Sequence, residues 1–366
     1  MMRRTMVLVF TAAMLMALVM VAMALPVFAG GDDEENNNES ASGDASRNGQ
    51  IAFRRYFDPD QTKGALFTMN PDGSHIRQIT HSPKGWLDNL PAWSPDGKRI
   101  AFERFKTDES TSRVMVVNPD TANTRAVVPC EGRYVAASDP YFSPDSRSIA
   151  YSRSVALPNV KDPPEWKLYS AIFIVGLDGK KSHQVSTTPK RHKGQLATET
   201  SDPVFSPNGK MLSFIRTNFQ KENDRSAVFV QPLGSPEDAH RITPWKLNCQ
   251  DLPEFSPDGE LVLFRSEPEG EEGPSNLYWV HPDGTGLHQI TYAPATKQYL
   301  DSSFSPSFHK GEGWITVGRT GGYGKEGNAD VFRILIENGK VVRSVNLTKS
   351  EKWESAPGWG THPPVG

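Results

Sequence analysis

The segment Pro91-Ala-Trp-Ser-Pro-Asp-Gly-Lys-Arg-Ile-Ala-Phe102 recurs along the chain and constrains the fold more than any other feature. Related copies begin at Pro140, Pro203 and Pro253, and a degraded copy begins at Ser303. The prolines of the Ser-Pro pair in successive copies stand 49, 63, 50 and 49 residues apart. A period in this range is typical of a solenoid, a propeller or an array of similar units.

Each repeat contains the patterns of four short strands. Residues 90–94 are apolar and aromatic, and they end at Ser-Pro-Asp-Gly, which suits a type I turn. Residues 99–104 alternate apolar and polar side chains, the pattern of a half-buried strand. A β-branched run at 114–118 and a fourth run at 124–128 complete the unit.

Six such units account for the chain. Four-stranded units of about 45 residues, each too small to bury its own faces, are typical of β-propeller blades. The first unit starts at residues 49–53 without an innermost strand, and residues 355–360 supply one at the other end of the chain. Closing the ring in this way removes exposed sheet edges. The sequence therefore predicts an all-β, six-bladed β-propeller with four antiparallel strands per blade, the C-terminal strand completing blade one.

The repeat resembles that of a known family. Pro-x-[Trp/Phe]-Ser-Pro-Asp-Gly-Lys-x-Ile-Ala-Phe, with later Asn-Pro-Asp-Gly and Arg-Gln-Ile-Thr, is similar to the WD40-like repeat of the TolB-type six-bladed propellers, over residues 49–360. The resemblance implies a platform for protein interaction in the bacterial envelope. TolB proteins carry a folded α/β domain before the propeller, whereas here residues 30–48 fill that place.

The termini indicate an exported protein. Residues 1–29 combine two arginines, a long apolar run and small residues before Gly30, which predicts a signal peptide. The apolar run is also long enough for a retained membrane anchor, the alternative interpretation. Residues 30–48 are polar and acidic and predict a disordered linker before a propeller domain at 49–366. We expect a periplasmic, cell-envelope or secreted location, with no membrane span after cleavage.

Charge and cysteine content bear on nucleic-acid binding and on disulfide formation. The net charge is −3 and no concentrated basic face is evident, so no nucleic acid is expected as a partner. Cys130 and Cys249 both fall between blades, two blades apart. We expect two free thiols, and a disulfide between them remains the alternative.

The turns separate two faces of the predicted ring. Those joining strands one to two and three to four are uniformly tight. Nearly all variation in length falls in the connections from strand two to three and from blade to blade. Insertions concentrated on one face often mark the binding face, so function is predicted there, on what we term the loop-rich face.

An acid precedes almost every innermost strand of the predicted ring. These residues are Asp88, Asp139, Asp202, Asp251, Asp301 and Glu354. Carboxylates around an axis repel, so they recruit a hard divalent cation or a basic partner group, or their pKa rises. The alternative is that each acid accepts backbone N–H bonds in the loop before its strand. No cofactor is predicted beyond a divalent cation at this channel mouth.

Aromatic residues fall beside these acids in the blade-to-blade connections. They are Trp86, Tyr134, Trp245, Tyr299 and Trp353. Aromatic faces beside carboxylates suit a sugar or a peptide with basic or apolar side chains. The acids and the aromatics together are the predicted ligand-binding residues, and the alternative for the rings is that they cover blade junctions.

The predicted function is a non-catalytic binding module for a protein or cell-wall ligand. The sequence contains no Gly-x-Ser-x-Gly elbow, no phosphate loop and no His or Cys metal spacing, so no catalytic residue is assigned. The alternative is a carbohydrate-active enzyme of the oligogalacturonate-lyase type, which resembles these propellers and places a metal with histidine ligands on the axis. Only His81 and His192 fall in suitable connections.

Overall fold

The structure is a computed structural model. The described residues are 49–108, 110–129, 136–156, 168–187, 191–192, 195–196, 198–219, 225–268, 274–294, 298–321 and 328–366. The predicted signal peptide, the predicted linker, Cys130 and Tyr134 lie outside them.

Six four-stranded antiparallel sheets form the blades of a ring. Blade 1 contains β26 (Glu354–Trp359), β1 (Ile51–Tyr56), β2 (Gly64–Met69) and β3 (Arg77–Gln78). Blade 2 contains β4 (Trp86–Trp93), β5 (Ile100–Lys106), β6 (Ser112–Val117) and β7 (Thr124–Val128). Blade 3 contains β8 (Ala137–Phe142), β9 (Ser148–Ala156), β10 (Leu168–Gly176) and β11 (His183–Gln184).

The second half of the ring repeats this order. Blade 4 contains β14 (Thr198–Phe205), β15 (Met211–Asn218), β16 (Arg225–Pro232) and β17 (His240–Arg241). Blade 5 contains β18 (Cys249–Phe255), β19 (Val262–Ser266), β20 (Asn276–Val280) and β21 (His288–Gln289). Blade 6 contains β22 (Tyr299–Phe304), β23 (Gly313–Thr320), β24 (Ala329–Glu337) and β25 (Lys340–Asn346). A small hairpin, β12 (Arg191–His192) with β13 (Gln195–Leu196), precedes blade 4.

The ring closes as the repeats predict. Strand β26 pairs antiparallel with β1, placing Trp359 opposite Ile51. Each first strand also contacts the first strand of the next blade, from β26 through β4, β8, β14, β18 and β22 back to β26. The predicted six-bladed propeller is therefore confirmed, including completion of blade 1 by the C-terminal strand.

The hydrophobic core is divided into six clusters, one at each junction between neighbouring blades. Because each sheet is apolar on both faces, a blade is stable only when a neighbour covers each side. In the junction of blades 1 and 2, for example, Leu66 and Ile79 pack with Phe102 and Met115. Ring closure thus completes the core as well as the sheet edges.

The Ser-Pro-Asp-Gly segments form the tight turns. The Ser94 hydroxyl donates to Asp96 at 2.6 Å and accepts from the backbone N–H of Arg99 at 3.0 Å. Gly97 adopts a φ of 69°, which its lack of a side chain permits. The same hydrogen bonds recur at Ser143, Ser206 and Ser256, which explains why the motif repeats.

Strand boundaries differ from the prediction in one respect that matters for function. The first strands extend two or more residues before the repeat motif, so the six predicted acids lie inside these strands and not ahead of them. Trp86, Tyr299 and Cys249 likewise begin strands, although blade-to-blade connections were predicted for them. Backbone pairing continues past the motif because buried N–H and C=O groups need partners whatever side chains they carry. No helix among the described residues is long and apolar enough to cross a membrane.

Candidate functional site

The first strands share an irregularity near the loop-rich face. Pairing between the first and second strands shifts register at this point in all six blades. Five non-glycine residues here have a positive φ, between 50° and 61°: Leu90, Asp139, Asp202, Asp251 and Ala356. Non-glycine residues in this region are strained, and such strain clusters at functional sites. Leu90, Asp251 and Ala356 line one cavity, and Asp139, Asp202 and Asp251 interact electrostatically, so these positions lie near one another in the ring.

Two of the predicted acids are neutralised by ion pairs within their own blades. The Arg104 guanidinium donates to both carboxylate oxygens of Asp88, at 2.6 and 2.9 Å. The Arg55 guanidinium is paired with Glu354 across the β1–β26 register. Each pair joins the first and second strands of one blade. Asp88 and Glu354 are fully buried. Neither acid adds an uncompensated charge to the axis, and a ligand role for them stays a prediction.

Three buried carboxyl groups form an acidic half of the axis, in blades 2 to 4. They are Glu103, Asp139 and Asp202, each at most 4% exposed. Burial, and next the nearby Asp139 carboxyl, raises the pKa of Glu103 to about 8. Burial raises the pKa of Asp139, and a hydrogen bond from the Ser152 hydroxyl lowers it in part. Burial, with Asp139 as the next cause, raises the pKa of Asp202 well above its usual range.

An arginine-bearing half lies opposite, in blades 5 and 6. Arg265 is paired with both Asp251 and Glu267. Burial, and next Asp251, raises the pKa of Asp301 to about 6, while Arg265 opposes the shift. A cavity of about 30 Å³ beside these groups is also lined by Leu90, Pro91, Leu252, Ser302, Ala356 and Pro357. This volume accommodates about one water molecule.

Arg54 lies between the two halves. Its guanidinium donates to Asn89 Oδ1 at 2.5 Å and to Ser355 Oγ at 2.6 Å, both neutral acceptors. It lowers the pKa of Glu103 and of Asp301, although burial outweighs it at both carboxyl groups. Among the described residues, the two halves carry two guanidinium groups, those of Arg54 and Arg265, against six carboxyl groups, those of Glu103, Asp139, Asp202, Asp251, Glu267 and Asp301. The charge along the axis is therefore unevenly distributed.

Side chains of non-neighbouring blades meet across the axis below this layer. Tyr141 in blade 3 donates a hydrogen bond of 3.0 Å to Glu254 in blade 5. The Glu254 carboxyl also accepts from the Ser303 hydroxyl at 3.2 Å and from the backbone N–H of Phe304 at 2.9 Å. Glu254 lies three residues after Asp251 on β18, which is about 10 Å along a strand. We term this group of contacts the floor of the acidic layer, because Glu254 lies on its tight-turn side.

The predicted aromatic residues make intramolecular contacts. The Arg113 guanidinium lies 4.2 Å from the centre of the Trp86 ring, and Arg241 lies 5.2 Å from the centre of Trp245. Tyr299 packs against the core between blades 5 and 6. Trp353 Nε1 is buried without a hydrogen-bond partner among the described residues. These contacts fit the covering of blade junctions, and a role in ligand binding stays a prediction.

Sequence reasoning missed the second-strand members of the axial layer. Arg54, Glu103 and Arg265 each follow the phenylalanine of the Ile-Ala-Phe segment or its equivalent. Because a strand alternates its faces, the same position in each repeat points in the same direction. Aligning this position across the repeats would have grouped the three residues with the acids.

The remaining predictions concern metals and thiols. In the parts of the chain that are described, no three His, Cys, Asp or Glu side chains come together as a metal site requires. His81 is exposed between blades 1 and 2, and the side chain of His192 lies outside the described residues. Cys249 is a buried free thiol 3.3 Å from the Thr243 hydroxyl. A divalent cation at the channel mouth, the lyase alternative and the state of Cys130 remain untested.

Comparison with solved structures places the fold. TolB from Acinetobacter baumannii is 18% identical with a TM-score of 0.56, covering 87% of this chain and 67% of that chain. A putative TolB from Agrobacterium tumefaciens is 18% identical with a TM-score of 0.53, covering 86% and 93%. The predicted TolB-type propeller is confirmed at the level of the fold. No protein-family model matches the chain.

Comparison with curated sequences concerns activity. Dipeptidyl-peptidase 5 of Porphyromonas gingivalis is 25% identical over 313 residues, 62% of this chain and 43% of that protein. Dipeptidyl-peptidase 5 of Aspergillus fumigatus is 29% identical over 142 residues, 37% of this chain and 18% of that protein. The chain therefore spans less than half the length of these relatives.

These relatives correct the predicted function. The absence of a nucleophile elbow predicts a non-catalytic binding module and not an enzyme, and this prediction is wrong. The curated proteins that the chain resembles are named peptidases. The propeller repeat indicates the fold but does not separate a binding platform from the propeller part of an enzyme, since one fold hosts many functions.

Proposed function

We propose that the chain acts in peptide hydrolysis, as the substrate-binding propeller of a peptidase related to dipeptidyl-peptidase 5. The similarity over 313 residues to the Porphyromonas gingivalis protein carries the proposal. It extends over most of the ring, so it involves several blades and not one turn motif. The printed sequence has no Gly-x-Ser-x-Gly elbow, so the role proposed for the propeller is binding and orienting a peptide.

The chemistry of the axial layer supports a peptide that carries a positive charge. Glu103, Asp139 and Asp202 are buried acids near the axis, and among the described residues no ion pair joins them to a basic side chain. An ammonium group supplies N–H donors and the compensating charge that these carboxyl groups lack. An enzyme that releases dipeptides must recognise a chain end, and a free amino terminus carries such a group.

A binding measurement tests the proposal. Binding of the tripeptide Ala-Ala-Ala to the full chain is compared with binding of its N-acetylated form. At least tenfold tighter binding of the free amine supports the proposal. Equal binding of both peptides, or no binding of either, contradicts it.

We also propose that the protein is exported. Residues 1–29 contain the basic, apolar and small-residue regions of a signal peptide. Fractionation followed by amino-terminal sequencing tests this, and a mature chain starting at Gly30 in the extracytoplasmic fraction is expected. An uncleaved chain in the cytoplasmic fraction contradicts it.

A further inference from the structure

A groove of about 600 Å³ lies on blade 2, at the face of the ring opposite the loop-rich face. It is lined by the tight turn at residues 96–99, by residues of β6 and β7 with the turn between them, and by His362 and Pro363. Pockets that hold a ligand commonly have volumes of about 300–1,000 Å³. We term this feature the blade-2 groove, and its size is that of a binding site.

Three basic side chains line the blade-2 groove: Lys98, Arg99 and Arg125. Lys98 is exposed, and its ammonium group makes no hydrogen bond or ion pair with the described residues. Arg125 donates from Nη1 to the Leu177 carbonyl at 2.8 Å, which leaves its other N–H groups available. Arg99 lies 3.7 Å from Asp96 in a largely exposed pair. The groove therefore presents donors and positive charge to a ligand.

The two carboxyl groups of the lining already have donors. Asp96 accepts from the Ser94 hydroxyl at 2.6 Å and from the backbone N–H of Lys98 at 3.0 Å. Asp120 Oδ1 lies 3.3 Å from Nε2 of His362. Because these carboxyl groups are partnered within the protein, the unfilled capacity of the groove is that of its cations. A ligand with carboxylate groups complements it.

The wall of the groove that contains His362 is a fixed surface. The imidazole stacks on Trp93 with ring centres 5.4 Å apart, and its Nδ1 donates to the Gly97 carbonyl at 2.8 Å. The neighbouring Thr361 hydroxyl donates to the Pro95 carbonyl at 2.8 Å. Residues 361–362 are thus held against the first turn of blade 2, and the groove is preformed.

The first described residues run beside this wall. Gly49 packs against the backbone of Gly360, since a side chain at position 49 would collide with the Gly360 carbonyl. The Gln50 carbonyl accepts from the Gly360 N–H at 2.9 Å, and its side-chain amide donates to the Pro363 carbonyl at 2.7 Å. Pro363 is itself part of the groove lining. The chain that precedes Gly49 therefore joins the ring at the edge of the blade-2 groove.

The segment before Gly49, residues 30–48, has a composition that complements the groove. It contains one arginine and six acids: Asp32, Asp33, Glu34, Glu35, Glu39 and Asp44. It has no aromatic side chain and no aliphatic side chain larger than alanine, so it has little apolar surface to bury and charge is the attraction that it offers. Its 19 residues extend up to about 60 Å, which is enough to reach the groove and lie along it.

We propose that the acidic segment 30–48 of this chain occupies the blade-2 groove and pairs with Lys98, Arg99 and Arg125. Exposed ion pairs are individually weak and are screened by salt, so docking depends on several pairs formed together. A modest affinity suffices, because a tethered segment has an effective concentration in the millimolar range. The contact ties the chain ahead of blade 1 to blade 2, beside the blade in which the two ends of the chain close the ring.

Cross-linking of the full chain tests the contact. A carbodiimide joins carboxyl groups to amines that touch them, and mass spectrometry identifies the joined residues. We expect acids of segment 30–48 to be joined to Lys98 within single chains. Lys210 is the matched control, because it is exposed and occupies the same position in the equivalent turn of blade 4, where its N–H donates to Asn208 at 2.9 Å.

Proteolysis provides a second measurement. A glutamate-specific protease should cleave after Glu34, Glu35 and Glu39 more slowly in the full chain than in a synthetic peptide of residues 30–48, by on the order of tenfold at low salt. At about 1 M salt, where the Debye length is about 3 Å, the two rates should become equal. Lys98→Glu should remove the protection at low salt, whereas Lys210→Glu should retain it.

Each outcome bears on the occupant of the groove. Cross-links to Lys98 within single chains, together with protection that only Lys98→Glu removes, support the proposal. Cross-links to Lys98 found only between two chains overturn it, because the groove then takes the segment of a second copy. Equal cross-linking of Lys98 and Lys210, or cleavage as fast as in the synthetic peptide, also overturns it. None of these results depends on tripeptide binding, which is proposed for the axis and the loop-rich face.

Discussion

Tyr141 and Glu254 are 113 positions apart in the sequence and are joined by a hydrogen bond of 3.0 Å. They belong to blades 3 and 5, which are not neighbours, so the bond spans the axis past blade 4. Burial raises the pKa of Glu254 to about 7. The bond forms part of the floor, on the tight-turn side of the acidic layer.

Removing the hydroxyl of the floor tests its contribution to stability. Tyr141→Phe leaves the half-buried Glu254 carboxyl with one donor fewer, so we expect the free energy of unfolding to fall by about 1 kcal/mol. Urea unfolding at pH 6 measures this. Tyr169→Phe is the control, because its hydroxyl makes a single longer contact of 3.4 Å with Gln184. Equal effects from the two variants would contradict a special role for the floor.

The buried Arg104–Asp88 pair should be costly to break. Arg104→Met leaves Asp88 ionisable, fully buried and without its bidentate partner, so a loss of roughly 3–5 kcal/mol is expected. Arg99→Met is the comparison, because Arg99 and Asp96 form a largely exposed pair at 3.7 Å worth at most about 1 kcal/mol. Chemical unfolding of both variants provides the measurement. Similar losses would show that the buried pair is not a structural requirement.

Stability should fall as the pH rises from about 5 to 8. Glu103 has a pKa of about 8 in the folded chain, raised by burial and next by Asp139, and about 4.3 when unfolded. Between these values the folded state holds a proton that the unfolded state has lost. Each retained proton therefore removes up to about 1.4 kcal/mol of stability per pH unit.

Glu103→Gln should flatten this pH dependence, since glutamine does not titrate. Urea unfolding at pH 5, 6, 7 and 8 measures the slope for both proteins. The exposed Glu260→Gln variant should follow the natural chain. A natural chain whose stability is constant or increases over this range would show that the axial acids are ionised when the protein is folded.

Close packing at the ring closure should make Gly360 intolerant of a side chain. A Cβ at this position would lie 2.1 Å from Cγ of Trp93, a buried ring in the junction of blades 1 and 2. Gly360→Ala should lower the free energy of unfolding by on the order of 3 kcal/mol through overpacking. Gly85→Ala meets no atom within 4 Å and adds only the strain of a positive φ. Thermal unfolding that is equal for both variants would contradict tight closure.

Much of the fold was predictable because its determinants are local. The Ser-Pro-Asp-Gly turns, the alternating second strands and the closing C-terminal strand depend on patterns a few residues long, and each was confirmed. The sequence also predicted that six acids recur at the first strands, and their role as ligand-binding residues stays a prediction, but their environments could not be predicted. Asp88 is paired with Arg104 in its own blade, whereas Asp139 faces acids from other blades.

The sequence by itself determined six blades, their closure and the face on which function was sought, because repeated turns and alternation act within one blade. Only the tertiary structure decided which acids remain uncompensated and where the channel is closed. Arg54 reaches Ser355 across 301 positions and Tyr141 reaches Glu254 across 113. Such partners meet because six blades converge on one axis, and the desolvation that raises the pKa of Glu103 and Asp202 exists only once the ring has formed.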